Sequence, residues 1–141
     1  GIWPSNGYLK FIATQIQRRI AAVGDNVYCL LGTGEPISIL DGATGEVLKC
    51  HENPVNTQEM AYAAGILYVA VGDPFGERTS RDTDVRLLAV LASSGETLWT
   101  SHVNDDGGYL GGTLAVRNQH LAYCTKTGII CADARTGEGH R

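Results

Sequence analysis

The sequence predicts an all-β chain of small antiparallel sheets, and three observations carry the prediction. Glycine occurs 18 times in 141 residues against a single Met, a composition that fits poorly with helices, which favour Ala, Leu, Glu and Lys. No segment sustains the i, i+3, i+4, i+7 apolar spacing of an amphipathic helix; short apolar runs alternate instead with Gly, Asp and Asn. One pattern also recurs three times: an apolar run containing Tyr, a gap, a second apolar run, a Thr-Gly or Ser-Gly turn, and Glu.

The elements run in chain order. Over Phe11–Ile20 a short helix and a strand both fit, and Thr14, Ile16 and Ile20 tip the reading to strand. Ile20–Val23 and Val27–Leu31 are strands parted by Gly24-Asp25-Asn26, and Gly32-Thr33-Gly34 is a turn. Ile37–Leu40 leads through Asp41-Gly42-Ala43-Thr44-Gly45 into Val47-Leu48. The second copy runs Glu59–Ala63, Ile66–Val71 and Leu87–Leu91, with its turn at Ser94-Gly95. The third runs Thr113–Val116, Leu121–Cys124 and Ile129–Asp133, with its turn at Thr136-Gly137. Two stretches break the regularity. Gly72–Asp84, rich in turn formers and mixed charge, reads as a solvated loop, the most plausible place for a partner to touch. Val103–Gly112, with Asn104-Asp105-Asp106-Gly107-Gly108, reads as a flexible connection.

The turn glycines Gly45, Gly95 and Gly137 lie 50 and 42 residues apart, so the chain holds about three units, approximately 19–58, 59–112 and 113–141, in one domain spanning 1–141. A period near 40–50 made of several short strands is the signature of β-propeller blades, each a four-stranded antiparallel sheet. Propellers close with 4–8 blades. Three units therefore read as an incomplete ring, a piece of a longer one, with other blades of the same longer chain as its first partners.

With 11 Lys+Arg against 15 Asp+Glu the net charge is −4, which disfavours nucleic acid as a partner, since phosphate binding needs a basic face. The longest apolar run, near Gly65–Val71, is far short of the roughly 20 residues of a membrane span. Arg18-Arg19 precedes only four apolar residues before Gly24-Asp25-Asn26, too few for an export signal.

The repeat is similar to that of the PQQ-like, quinoprotein-type β-propeller family, whose signature is Ala-x-Asp-x-x-Thr-Gly-x-x-x-Trp. The second unit matches it through Ala89, Ser94, Gly95 and Trp99, with Leu91 in place of Asp. The first supplies Asp41, Thr44 and Gly45, with Ile39 for Ala and Lys49 for Trp. The third supplies Asp133, Thr136 and Gly137, with Cys131 for Ala and Arg141 at the Trp position. The chemistry of the motif is local: an Asp side chain accepts backbone N–H groups two or three residues on, and Gly supplies a positive φ. In such repeats the Trp resembles a dock between neighbouring blades. The resemblance implies a non-catalytic scaffold or binding surface, a fragment of a larger bacterial protein of the cell envelope or periplasm, with protein partners. Its alternative is a fragment of a PQQ-dependent dehydrogenase, in which PQQ and Ca²⁺ would sit at the propeller centre. Dehydrogenase members resemble one another in a vicinal Cys-Cys pair, and this chain has none. The absence of a Trp-Asp dipeptide argues against a WD40-type propeller.

No residue is expected to be catalytic, cofactor-binding or metal-ligating. Cys29, Cys50, Cys124 and Cys131 lack Cys-x-x-Cys spacing. If Thr127-Gly128 forms a two-residue hairpin turn, Cys124 and Cys131 fall opposite each other, near disulfide distance; two thiols acting as small hydrophobes is the simpler reading. His51, His102, His120 and His140 occur singly and read as surface or turn residues. Asn104-Asp105-Asp106-Gly107 lacks the ligand spacing of a calcium loop. Arg78, Arg81 and Arg86 are nearly neutralised by Glu77, Asp82 and Asp84.

Overall fold

The computed structural model describes residues 18–32, 34–72, 85–103 and 108–140. These form three four-stranded antiparallel sheets, each strand bonded to the next in chain order. The first holds β1 (Ile20–Val23), β2 (Asn26–Leu30), β3 (Ile37–Asp41) and β4 (Val47–Cys50). The second holds β5 (Thr57–Ala63), β6 (Ile66–Val71), β7 (Arg86–Leu91) and β8 (Thr97–His102). The third holds β9 (Ala115–Arg117), β10 (His120–Thr125), β11 (Gly128–Asp133) and β12 (Gly139–His140). Of the leading strands, β1 neighbours β5 and β5 neighbours β9, so the sheets are stacked with their first strands along one side.

The middle sheet is apolar on both faces, which is why β6 and β7 read as unbroken runs rather than alternations. Leu67, Val69, Val71, Leu88 and Val90 pack with Tyr28, Ile37 and Ile39 of the first sheet and with Met60. The alternate residues Tyr68, Ala70, Leu87 and Ala89 pack with Leu121, Tyr123, Ile130 and Ala132 of the third. The molecule therefore has two cores, one at each junction between sheets. The third sheet buries one face, and β10 shows the resulting alternation of buried and partly exposed residues; in the first sheet Cys29 and Ser38, on the face away from the junction, are buried as well.

Three expectations are corrected. The β10–β11 turn is Lys126-Thr127, because Thr125 pairs with Gly128. That register sets Cys124 opposite Ile129 and Cys131 opposite Ala122, so the two thiols are diagonal neighbours, and both are free. The described half of Val103–Gly112 is pinned rather than flexible: Tyr109 bridges to Thr125, the Leu110 N–H donates to Cys124 O, and the Glu59 carboxylate accepts the Gly112 N–H. His51 is 2% exposed, inside the junction of the first two sheets, not on the surface. The strand expected over Phe11–Ile20 lies outside the described residues as far as residue 17, and the loop Gly72–Asp84 does so from residue 73.

Candidate functional site

Three turns repeat one hydrogen-bond plan. Asp41 N–H donates to Glu46 O at 2.9 Å and Gly45 N–H to Asp41 O at 2.8 Å. The same pair of bonds joins Leu91 to Glu96 and Gly95 to Leu91, both at 2.8 Å, and joins Asp133 to Glu138 and Gly137 to Asp133 at 3.0 and 2.8 Å. The hydroxyls of Thr44, Ser94 and Thr136 each accept the N–H two residues on, all at 3.2 Å. The glycines stand at φ of 73°, 80° and 74°, the left-handed region where a side chain is disfavoured. In the first turn the Asp41 carboxylate accepts the N–H groups of Ala43 and Thr44 and the Thr44 hydroxyl. In the third, Asp133 accepts the Arg135 N–H at 2.7 Å. The Thr44 N–H holds the Asp41 carboxyl below its ordinary value, and the Arg135 N–H does the same for Asp133. Leu91 stands where the second turn lacks a carboxylate, and the backbone closes that turn without one.

The turns also receive the preceding sheet. Trp99, on β8, lays its six-membered ring on Gly137: a Cβ built there would meet Cε3 at 2.6 Å and Cζ3 at 2.7 Å. Its Nε1–H donates to Ala134 O at 2.9 Å, and the ring meets Tyr68 at 6.2 Å and 48°. The first junction does the same with another residue. Lys49, at the position equivalent to Trp99, is exposed and donates from Nζ to Ser93 O at 3.3 Å. His51, two residues further along and therefore on the same face of the strand, lies against Gly95, where a Cβ would meet Nδ1 at 2.6 Å. Its Nε2 is 3.0 Å from Ala92 O. A carbonyl oxygen only accepts, so Nε2 carries the proton. Nδ1 is buried with no hydrogen-bond partner. Burial, together with the nearby Lys49 charge, holds the imidazole below its ordinary pKa against the opposing Ala92 bond. Ala92 and Ala134 are equivalent: each comes directly after the turn-opening residue, and each N–H reaches back to the sheet's first hairpin, at Gly65 O and Gln119 O.

A second polar centre joins the middle and third sheets. Glu59, on β5, is 1% exposed. Its Oε2 accepts the Gly112 N–H at 2.8 Å and the Tyr109 hydroxyl, and its Oε1 accepts the Leu114 N–H at 3.2 Å. Burial first, then the Glu59 bond, pushes the Tyr109 hydroxyl far above its ordinary pKa. Arg18 Nη1 donates to Leu114 O at 3.0 Å, tying the start of the first sheet to the third.

Sequence reasoning missed His51 and Glu59. No motif marks either residue; the one available signal for Glu59 was a charge at the start of the strand-like run it opens, Glu59–Ala63. The motif residues Asp41, Thr44, Gly45, Ala89, Ser94, Gly95, Trp99, Asp133, Thr136 and Gly137 fall in the three turns and at the second junction, spread along the stack rather than gathered at one point. Among the described residues no three His, Cys, Asp or Glu side chains converge. No described helix is long and apolar enough to cross a membrane.

With this geometry in place, solved structures supply the comparison. The chain aligns with a quinohemoprotein alcohol dehydrogenase of Pseudomonas putida at a TM-score of 0.60 and 19% identity, over 87% of this chain and 19% of that one. It aligns with BamB of Moraxella catarrhalis at 0.55 and 20% identity, over 85% and 38%. With the computationally designed Ika4 protein it aligns at 0.58 and 17% identity, over 86% and 68%. The fold is a partial β-propeller. Its three sheets are blades, and the chain spans about a fifth of the length of the dehydrogenase and well under half of BamB. No family model and no curated protein matches the sequence.

Proposed function

We propose that this chain is a non-catalytic run of PQQ-like blades that serves as a scaffold or binding surface within a longer bacterial propeller. The observation that carries the reading is what its polar side chains are engaged in. Asp41 and Asp133 hold turn N–H groups, His51 and Trp99 join one blade to the next, and Glu59 holds the backbone of Gly112 and Leu114. Groups committed to buried or turn-closing bonds cannot also move protons or ligate a substrate without giving up that architecture. The family resemblance of the repeat favours protein partners and a cell-envelope location; the quinohemoprotein alcohol dehydrogenase neighbours favour the alternative of a PQQ-dependent enzyme fragment.

Titration with PQQ and Ca²⁺, monitored by cofactor absorbance and a dye-reduction assay with alcohols and sugars, separates the two readings. The scaffold reading expects neither saturable binding below millimolar concentration nor substrate-dependent reduction. Micromolar binding with alcohol- or sugar-dependent dye reduction would overturn it.

A further inference from the structure

We infer that residues 109–114 of the third blade form a preformed carboxylate receptor, filled within this chain by Glu59 and able to take a small free carboxylate in its place. The inference goes beyond the scaffold reading and does not depend on the choice between scaffold and enzyme fragment. Three donors converge on one planar group. The Gly112 N–H, at 2.8 Å, and the Tyr109 hydroxyl reach Oε2, and the Leu114 N–H reaches Oε1 at 3.2 Å. Both oxygens are thus engaged, on a side chain that the junction of the second and third blades buries.

The third blade places these donors by itself. Tyr109 pairs with Thr125 and Ala115 with Ala122, so residues 110–114 stand opposite only Tyr123 and Cys124. The surplus chain bulges from the sheet. Gly112 turns it at φ of 82°, and the N–H groups of Gly112 and Leu114 end aimed at the same group. Bonds that leave Glu59 out hold the bulge. The Leu110 N–H donates to Cys124 O at 2.9 Å, the Thr113 hydroxyl to Leu110 O at 2.6 Å, and the Cys124 N–H to the Thr113 hydroxyl at 3.0 Å. The Tyr109 ring is braced by Tyr123, with centroids 5.7 Å apart. Donors fixed by other bonds keep their places when the ligand leaves, and binding then costs little ordering.

The donor set names the ligand. A carboxylate accepts at both oxygens, whereas a carboxamide would set its NH₂ against one of these donors. Charge points the same way: Arg18 donates from Nη1 to Leu114 O at 3.0 Å, and its guanidinium acts on the Tyr109 hydroxyl as a nearby positive charge. Beyond its Cβ, the Glu59 side chain is chemically an acetate, so acetate is the smallest ligand that reproduces the whole contact. The receptor is particular to the second junction. Where β1 meets β5 the crossing bonds end on carbonyls instead, the Met60 N–H on Arg18 O at 2.9 Å and Arg19 Nε on Gln58 O at 3.4 Å.

Thermal melts of the full chain carrying Glu59→Ala test this, in sodium acetate against sodium chloride at equal ionic strength. Acetate is expected to raise the melting temperature of the variant saturably, with roughly millimolar half-saturation, the range open to so small a ligand. The native chain, whose receptor is filled, should gain nothing beyond chloride. Acetamide, of the same shape without the charge, is expected to bind about tenfold more weakly. Should Glu59→Ala fail to fold, the nearly isosteric Glu59→Gln reads the receptor by hydrogen exchange. Its NH₂ must face a donor, so the amide of Gly112 or of Leu114 should exchange about tenfold faster than in the native chain. Acetate matching chloride, acetamide matching acetate, or an equal acetate effect on native chain and variant would overturn the inference. So would unchanged exchange of both amides in Glu59→Gln. Cofactor binding with dye reduction, by contrast, would defeat the scaffold reading and leave the receptor standing.

Discussion

At the scale of single residues, His51 shows how an unexpected side chain can take over a structural role. The indole position in the first blade is Lys49, too hydrophilic to bury, and the docking duty moves two residues on to an imidazole that reaches the equivalent carbonyl. The replacement brings titration with it. Protonation at Nδ1 would place a charged N–H against Gly95 with no acceptor, so the fold favours the neutral ring. A base whose folded pKa is depressed contributes its stability in full above the unfolded value of about 6.5, and loses it as pH falls through the folded value. The melting temperature should therefore decline between pH 7 and pH 5, and His51→Gln should flatten that decline. The Asp41 and Asp133 carboxylates, also depressed, act in a lower window, losing their contribution only below about pH 4. Thermal melts in steps of half a pH unit resolve the two. Glu59 is the other decisive residue. Glu59→Ala leaves the Tyr109 hydroxyl and two backbone N–H groups without their acceptor and should cost about 2–3 kcal/mol in urea unfolding.

Among the elements, the turn and the ring laid on it act as one unit, and glycine substitutions can dissect it. Gly45→Ala and Gly137→Ala share the strain of a left-handed Ala, about 1–2 kcal/mol. Only Gly137→Ala also drives a methyl into the Trp99 ring, a further ~1–3 kcal/mol typical of overpacking. The difference between the two variants in a denaturant melt isolates the ring contact. Trp99→Ala should cost ~3–5 kcal/mol, as for a large aromatic in a core, and a loss below ~1 kcal/mol would mean that the ring does little. Lys49→Ala, at the equivalent position but exposed, should stay within about 0.5 kcal/mol.

Across the whole molecule, among the described residues, the two junctions between sheets are closed and the outer face of the third blade is open. On the outer face of the first blade Ile20 and Cys50 are exposed, while Cys29 and Ser38, in register between them, are buried. Ile129, 66% exposed, and Cys131 lie on the outer face of the third. All four cysteines sit on these two faces and none at the buried junctions. Apolar sheet faces left open invite association. Sedimentation of the chain alone under reducing conditions should show concentration-dependent oligomers, and Ile20→Lys with Ile129→Lys should shift them toward monomer. A monodisperse monomer would count against this.

What the sequence alone determined is the periodic part: all-β character, three repeats, and turns closed by Gly45, Gly95 and Gly137. Strand alternation and turn chemistry are local, acting between residues close in the chain, and so they leave a readable pattern. Trp99 was legible for the same reason, because it belongs to a spaced motif. His51 was not, since its partners Ala92 and Gly95 lie about 40 residues away and become neighbours only when one blade stacks on the next. Glu59 was hidden likewise, its three donors lying 50 to 55 residues downstream. The Cys124–Cys131 pairing turned on a hairpin shifted by a single residue, which exchanges every cross-strand partner. Only tertiary structure decided which polar side chains become buried, because burial depends on the stacking of blades and not on the pattern within any one of them.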